Sequence, residues 1–296
     1  MESTKMYDLQ KSRIRFAKME GLGNDYIYLE SFATPMAGLG KLAVAMSDRH
    51  FGVGGDGIVL IGSSRKADFS MRMFNADGSE GEMCGNAIRC VGKYVYDRGM
   101  TRKTTVTIET LAGIRSLKLS LSGYCVSSVR VDMGRPVFDA SAIPIKAQGK
   151  DFIDQEIRVA GKTYRATGVS MGNPHLVVPV SNVDDLDLAG IGPRFENHEL
   201  FPNRINTEFV QVLNKKEVRM RVWERGSGET LACGTGACAT VAACVVAGLT
   251  DRRVVVHLSG GDLLAEWSEQ GEMYMTGPAK LVSDGEYVVP AGLLEA

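Results

Sequence analysis

Two cysteines, Cys84 and Cys233, lie 149 residues apart in matching surroundings within a chain of 296 residues. Around the first stand Met71, Arg72, Glu80 and Gly85; at the same offset around the second stand Met220, Arg221, Glu229 and Gly234. Gly23-Asn24 and Gly172-Asn173 keep the offset too. A chain that repeats itself once is constrained to fold as two similar domains, each of about 150 residues and able to bury its own core. Each domain then presents one thiol at a glycine-rich turn, so a single site between them has sulfur on either side. That arrangement suits chemistry needing an acid and a base on opposite faces of one atom.

Short β-type runs dominate both copies, at 14–19, 25–29, 58–61, 71–74, 105–109, 114–121 and 126–133, then at 169–171, 175–180, 208–213, 218–223, 254–257, 263–267 and 272–276. Glycines and polar turns separate them at intervals of about ten residues, as in antiparallel sheets. Residues 84–98 and 233–248 break the pattern and read as helices, each opening at its cysteine. The second is apolar and small all round, which predicts a helix buried on every side within a curled sheet. Weaker helices are expected at 39–49 and around 184–191. The fold class is therefore α/β of the α+β kind. Its expected domains are 1–132 and 133–269, divided near Met133-Gly134-Arg135-Pro136, with residues 270–296 returning to the first. Residues 1–13 are polar and read as a short extension before the first strand.

A thiol in the first turn of a helix faces free backbone N–H groups and the positive end of the helix dipole. Both effects lower its pKa from the free value of about 8.5. Gly85 and Gly234 let a ligand approach the backbone, and a carboxylate can accept hydrogen bonds there. A lone cysteine is most often a small buried hydrophobe, and Cys90, Cys125, Cys238 and Cys244 are read that way. The duplicated context sets Cys84 and Cys233 apart. The cysteine spacings are not those of structural zinc sites, so no metal is expected. Gly52-Val53-Gly54-Gly55-Asp56-Gly57 satisfies the G-x-G-x-x-G pattern, but a helix precedes it and a β-branched run follows, the reverse of a dinucleotide site. A tight loop beside the cleft is the expectation there.

Asn24, Asn75, Asn86, Asn173 and Asn206 all fall at strand ends or glycine-rich turns around the duplicated segments. Arg225, just before the second glycine loop, is suited to clamp a carboxylate with both arms of its guanidinium, the plainer alternative being a surface pair with Glu224. His175 and Glu224 are candidates for adjusting the thiols.

Bulk properties narrow the partners. A net charge of -1 with 44% hydrophobic and 23% charged residues gives no reason to expect nucleic acid or an anionic membrane. No apolar run reaches the length of about 18 residues that a membrane span needs. With no apolar leader at the N-terminus and six cysteines too few and too clustered for a disulfide scaffold, a reducing, cytoplasmic setting is expected.

These residues resemble the diaminopimelate epimerase family. The matching stretches include 18–25 (Lys-Met-Glu-Gly-Leu-Gly-Asn-Asp), 74–80 (Phe-Asn-Ala-Asp-Gly-Ser-Glu), Cys84-Gly85-Asn86-Ala87 and Met171-Gly172-Asn173-Pro174-His175. Asn203-Arg204-Ile205-Asn206, 224–229 (Glu-Arg-Gly-Ser-Gly-Glu), 232–237 (Ala-Cys-Gly-Thr-Gly-Ala) and Tyr274-Met275-Thr276-Gly277 continue the match. The resemblance implies two similar domains, each a curled, mainly antiparallel sheet around a central helix, with the site in the cleft between them. It also implies cofactor-independent interconversion of LL- and meso-diaminopimelate, on the way to lysine and peptidoglycan. By similarity Cys84 and Cys233 are the paired acid and base, and the backbone at Gly85-Asn86 and Gly234-Thr235 holds the reacting centre's carboxylate. Asn24, Asn75, Asn173, Asn206, Glu224 and Arg225 bind the rest of the substrate, with Arg225 on its distal carboxylate. His175 and Glu224 tune the thiols, and Tyr274 matches a position at the contact of a homodimer. Related racemases acting on proline typically carry histidine where this chain has Asn86, and lack the Glu224-Arg225 pair. One departure stands out: some family members carry glutamine where this chain has Gly57, so no substrate contact is carried over there.

Overall fold

The computed structural model describes residues 13–32, 38–147, 149–290 and 292–294. The extension expected at the N-terminus lies outside these residues as far as residue 12. The first half runs β1 (Arg13–Gly21), β2 (Asn24–Glu30), α1 (Leu39–Ser47), β3 (Gly57–Gly62), β4 (Phe69–Asn75), β5 (Glu80–Gly81), α2 (Gly85–Asp97), β6 (Thr105–Thr110), β7 (Gly113–Ser122) and β8 (Cys125–Gly134). After β9 (Gln155–Val159) the order repeats as β10 (Lys162–Ser170), β11 (Pro174–Pro179), α3 (Leu188–Glu196), β12 (Asn206–Asn214), β13 (Glu217–Glu224), β14 (Gly228–Thr230) and α4 (Gly234–Val246). The chain closes with β15 (Arg253–Leu258), β16 (Gly261–Trp267), β17 (Met273–Gly277) and β18 (Lys280–Val288). The expected pair of similar α+β halves is the fold found.

The pairing is mainly antiparallel. Four parallel contacts, β2–β3, β4–β6, β11–β12 and β13–β15, interrupt it at equivalent places in the two halves. In each half the sheet curls about one helix, α2 or α4. The helix boundaries follow the duplication to the residue, as do their ends. Gly99 and Gly248 adopt φ 71° and 69° just past the two helices. Each helix is closed by the same pair of bonds, Gly99 N to Tyr96 O with Met100 N to Val95 O, and Gly248 N to Val245 O with Leu249 N to Cys244 O. Only glycine enters this left-handed position without steric cost.

The all-round apolar sequence of α4 is buried from Gly236 through Cys244. One apolar cluster joins both helices to the inner faces of the sheets, for example Val91 and Val95 with Leu117 and Val129, and Val241 with Val256 and Leu263. Two outer clusters cover the sheets' backs, one under α1 with Leu42 and Met46, the other under α3 with Leu188 and Phe195. The sequence reading set the second weak helix at 184–191, but α3 begins at Leu188 and continues past Gly190, Gly192 and Pro193. Asp187 caps it by accepting Gly190 N at 3.1 Å, and a Cβ on Gly192 would stand 2.3 Å from the Trp223 ring. Close packing on Trp223 thus keeps helical a segment whose composition argues for a turn.

The halves are joined through their sheets. β17 pairs antiparallel with β16 on one side and with β8 on the other, with Met275 opposite Val131. β18 lies antiparallel to β1, Val288 opposite Arg13. In the second half the corresponding neighbour of β10 is β9, which comes from the connection between the halves. Among the described residues no helix is long and apolar enough to cross a membrane.

Candidate active site

Each thiol is placed by a strand, a turn and a helix. Arg72 on β4 grips Glu80 on β5 through Nε–Oε1 and Nη2–Oε2 contacts of 2.7 and 3.1 Å. Arg221 and Glu229 repeat the clamp at 2.8 and 3.1 Å. The duplicated arginines and glutamates therefore fasten the turn that leads into each cysteine. Cys84 and Cys233 then cap α2 and α4 with nearly the same extended backbone, φ/ψ -127°/123° and -118°/111°. The two helices point their N-termini at one another: a Cβ on Gly85 would stand 3.7 Å from Gly234 Cα. Before them opens a cleft of about 1140 Å³ between the halves, lined from both sides and including both thiols.

The sequence reading expected helix N-termini to lower both thiol pKa values. The structure reverses the net direction. Burial pushes the Cys84 thiol up, against the pull of the Ala87 and Asn86 N–H groups. Burial, then the carboxylates of Glu224 and Glu208, push Cys233 well up, against Thr235 Oγ1 at 3.5 Å and Gly236 N at 3.3 Å. The amides act in the expected sense, but loss of water outweighs them. Each thiolate is scarcer at neutrality and, once formed, a stronger base.

Most residues named from the sequence meet at this cleft. Asn24, Asn75, Asn86 and Asn173 line it, together with Gly85, Gly234, Thr235, Glu224 and Arg225. Asn24 accepts from Cys84 Sγ at 3.4 Å through Oδ1 and donates to Asp56 at 2.7 Å through Nδ2. Asn75 donates to Ser79 Oγ at 3.1 Å. Asn86 reaches across the halves to donate to Ala232 O at 3.0 Å. Asn173 donates to Thr235 Oγ1 at 3.4 Å. Glu224 takes the Thr230 hydroxyl and makes no ion pair with Arg225, whose Nη1 donates to Asn203 O at 3.1 Å. The surface pair weighed as an alternative is not formed, and the other arm of the guanidinium remains for a ligand.

Three residues lie outside this lining. Asn206 is buried, and its amide holds backbone on both sides, donating to Pro174 O at 2.8 Å and accepting Arg225 N at 2.9 Å. His175 is fully buried behind Asn173, its Nδ1 2.7 Å from Glu208 Oε1 and its Nε2 3.0 Å from Asn173 Oδ1. Tyr274 sits at the β8–β17 seam under the Arg130 guanidinium, 3.9 Å from the ring centre.

The structure adds residues the sequence reading passed over. Asp56, in the glycine loop that mimics a dinucleotide motif, orients Asn24 and is held by Arg49 Nη2 at 2.9 Å. Tyr26 donates its hydroxyl to Asn75 at 3.5 Å. Glu208 and Arg89 are charged yet fully buried. Their signal in the sequence is a charge within an apolar run, Glu208 before Phe209-Val210 and Arg89 between Ile88 and Cys90. At Gly57 a Cβ would stand 2.1 Å from Phe74 O, so no side chain fits that backbone.

Comparison with known proteins decides the family. The sequence model described as diaminopimelate epimerase matches residues 16–138 and 167–282. The chain belongs to the diaminopimelate epimerase family. It is 54% identical over 274 residues to the diaminopimelate epimerase of Acetivibrio thermocellus, covering 92% of this chain and 98% of that one. It is also 54% identical to the enzyme of the same name from Methanococcus maripaludis, covering 92% and 99%. Among solved structures, a hydroxyproline epimerase from Agrobacterium vitis superposes with a TM-score of 0.69 at 13% identity, over 96% of this chain and 95% of that one. A PhzF-family protein from Bacillus anthracis gives 0.67 at 19%, over 94% and 99%. These last two show a likeness of fold.

Proposed function

We propose that the chain is an isomerase that interconverts LL- and meso-2,6-diaminopimelate by two-base proton transfer at one α-carbon, without a cofactor, in lysine and peptidoglycan precursor synthesis. The observation that carries this reading is the pair of thiols capping two helices whose N-termini converge in one cleft. The reacting α-carbon lies between the sulfurs. One cysteine, as thiolate, takes the α-proton from one face, and the other, as thiol, returns its own proton to the opposite face. Run backwards, the roles exchange.

An α-proton is weakly acidic, so charge developing on the carboxylate must be stabilised. The N–H groups of Gly85, Asn86, Gly234 and Thr235 stand at two helix N-termini aimed at one point. A single preorganised donor of this kind is worth about 3–4 kcal/mol. The duplication is broken where the substrate's two ends must differ: Asn75 faces Glu224, Ala76 faces Arg225, and Asn86 faces Thr235 at the common offset. Arg225 takes the distal carboxylate, while Asn24, Asn75, Asn173 and Glu224 receive the amino groups and fix orientation. Asn206 contributes by holding the backbone of Pro174 and Arg225, and His175 and Glu224 set the protonation of the thiols. The domains are 1–132, joined by residues 270–296, and 133–269, a reading supported by β18 lying along β1 and β17 along β8. A homodimer through the face carrying Tyr274, and a cytoplasmic location, complete the reading.

Incubation with LL-diaminopimelate in D2O, with no added cofactor, tests it. Deuterium is expected at the α-carbon of the meso product, and no exchange would overturn the assignment. The raised thiol pKa values set the pH dependence. Below neutrality both thiols hold their protons and the base is missing, so kcat/KM is expected to climb about tenfold per pH unit until the pair loses its first proton. It falls again on the alkaline side, when both are thiolates and the acid is missing. A profile flat between pH 6 and 8 would contradict the burial of the thiols.

A further inference from the structure

Two buried charges near the thiols have no use in the reaction as described, and the internal repeat places nothing charged opposite either of them. Arg89, on the first turns of α2, is fully buried. At the offset of 149 its counterpart on α4 is Cys238. Its Nη1 donates to Gly85 O at 3.1 Å and Asn86 Oδ1 at 3.0 Å, and its Nε to Pro278 O at 3.1 Å. No carboxylate pairs with it, and its Nη2 has no hydrogen-bond partner among the described residues. The guanidinium stands at the N-terminus of α2, near Cys84; burial lowers its own pKa, and its positive charge adds to the helix dipole.

Glu208, on β12, is buried as completely, and its counterpart at the same offset is Val59. A Cβ on Gly236 would stand 2.6 Å from its Oε1, so the carboxylate lies beneath the first turn of α4, under Cys233. Its Oε1 meets His175 Nδ1 at 2.7 Å, and its Oε2 has no partner among the described residues. Burying a charge is costly even where one oxygen is held, as Glu208 is by His175, so each of these positions asks for a role that the opposite half lacks.

Among the other ionisable groups around the sulfurs, Glu224 bears on both thiols but more on Cys233, to which it is hydrogen-bonded, and so acts in the same sense as Glu208. Tyr26, Tyr28 and Cys90 lie on the Cys84 side, and burial keeps each of them in its neutral form. Cys238, near Arg89, is likewise held neutral by burial. His175 is on the Cys233 side, bridged to Glu208. Of the charged neighbours, Arg89 bears on Cys84 and Glu208 on Cys233.

We propose that Arg89 and Glu208 are positioning residues that sort the single proton left on the two thiols once the pair has lost its first, so that the singly ionised protein carries thiolate at Cys84 and thiol at Cys233. The cation under Cys84 favours the charged form of that sulfur, and the anion under Cys233 favours its neutral form. The two substrate stereoisomers then meet an enzyme already set for one of them, and the other must wait for the proton to cross. The inference rests on reading Cys84 and Cys233 as the acid–base pair, but its test needs no substrate.

The test is alkylation of the full-length protein with iodoacetamide from pH 6 to 10, with the rate at each cysteine followed by peptide mass spectrometry. The pH midpoint reports thiolate formation, whereas accessibility scales only the plateau. In the wild type the Cys84 midpoint is expected about one pH unit or more below that of Cys233. Glu208→Gln, neutral and of the same size, is expected to bring the Cys233 midpoint down by about one unit. Arg89→Met raises the Cys84 midpoint, and Arg89→Lys, which keeps the charge, restores the wild-type order. A Cys233 midpoint below that of Cys84 in the wild type overturns the proposal, as do midpoints that Glu208→Gln leaves unmoved in protein with a native circular dichroism spectrum. If Arg89→Met does not fold, the wild-type order and Glu208→Gln decide alone. Deuterium exchange into diaminopimelate with the same preparations is read separately, so failure of the sorting and failure of the assigned reaction are told apart.

Discussion

Cys84→Ala and Cys233→Ala are each expected to lower epimerisation by about 10³-fold or more, because each removes one of the two groups that must act on opposite faces of the α-carbon. Neither change should unfold the protein. Cys84 makes no side-chain cap to α2. Cys233 caps α4 only through the weak Gly236 N–H···Sγ contact at 3.3 Å, a loss of about 0.5–1 kcal/mol. The variants should also differ from each other. With one thiol left, each can still exchange the α-proton of the one stereoisomer that presents it to the surviving sulfur, without inversion. Turnover, thermal melting and deuterium uptake from the separate LL- and meso-isomers measure all three effects. Near-normal epimerisation by either variant would remove the two-base mechanism.

Arg225→Met is expected to reduce kcat/KM for diaminopimelate by about 10²-fold, most of it in KM. A charge-assisted hydrogen bond from the remaining arm of the guanidinium to a carboxylate contributes about 1.5–3 kcal/mol, and it holds equally in ground and transition states. Arg225→Lys should recover only part of the loss, since an ammonium cannot offer the planar fork. The same change should narrow the preference for diaminopimelate over an amino acid lacking the distal carboxylate. Unchanged KM in Arg225→Met, with normal folding, would place the distal carboxylate elsewhere in the cleft.

Much of this was legible before any coordinates. The offset of 149 announced two equivalent halves, and it holds for the limits of α2 and α4 and for the glycines that end them. It also announced which positions should match, and the structure gives two of them a purpose that spacing alone does not show: Arg72–Glu80 and Arg221–Glu229 are clamps on the turns before the thiols. The apolar run of α4 foretold its burial, because a helix with no polar face has no stable surface position. The helix at 188–196 was misplaced, because Gly190, Gly192 and Pro193 weigh locally against helix while the Trp223 ring that favours it comes from β13.

What the sequence determined by itself is the duplication, the two thiols at helix starts and the set of polar residues gathered around them. These are local or repeated properties, and a chain carries them wherever its parts end up. What only the tertiary structure decided is the balance of forces on those thiols. Helix N-termini favour thiolate, and the sequence displays them; burial opposes it, and burial is a sum over neighbours that arrive from distant segments. The same holds for Arg89 and Glu208. In the sequence they are charges in apolar stretches; α2 itself sets Arg89 near Cys84, but only packing against Met275 and Pro278 buries it, and only the meeting of α4 with β12 brings Glu208 beneath Cys233. Two thiols that read as equals at matching positions become unlike in the fold, because a low-dielectric interior magnifies every unmatched charge around them.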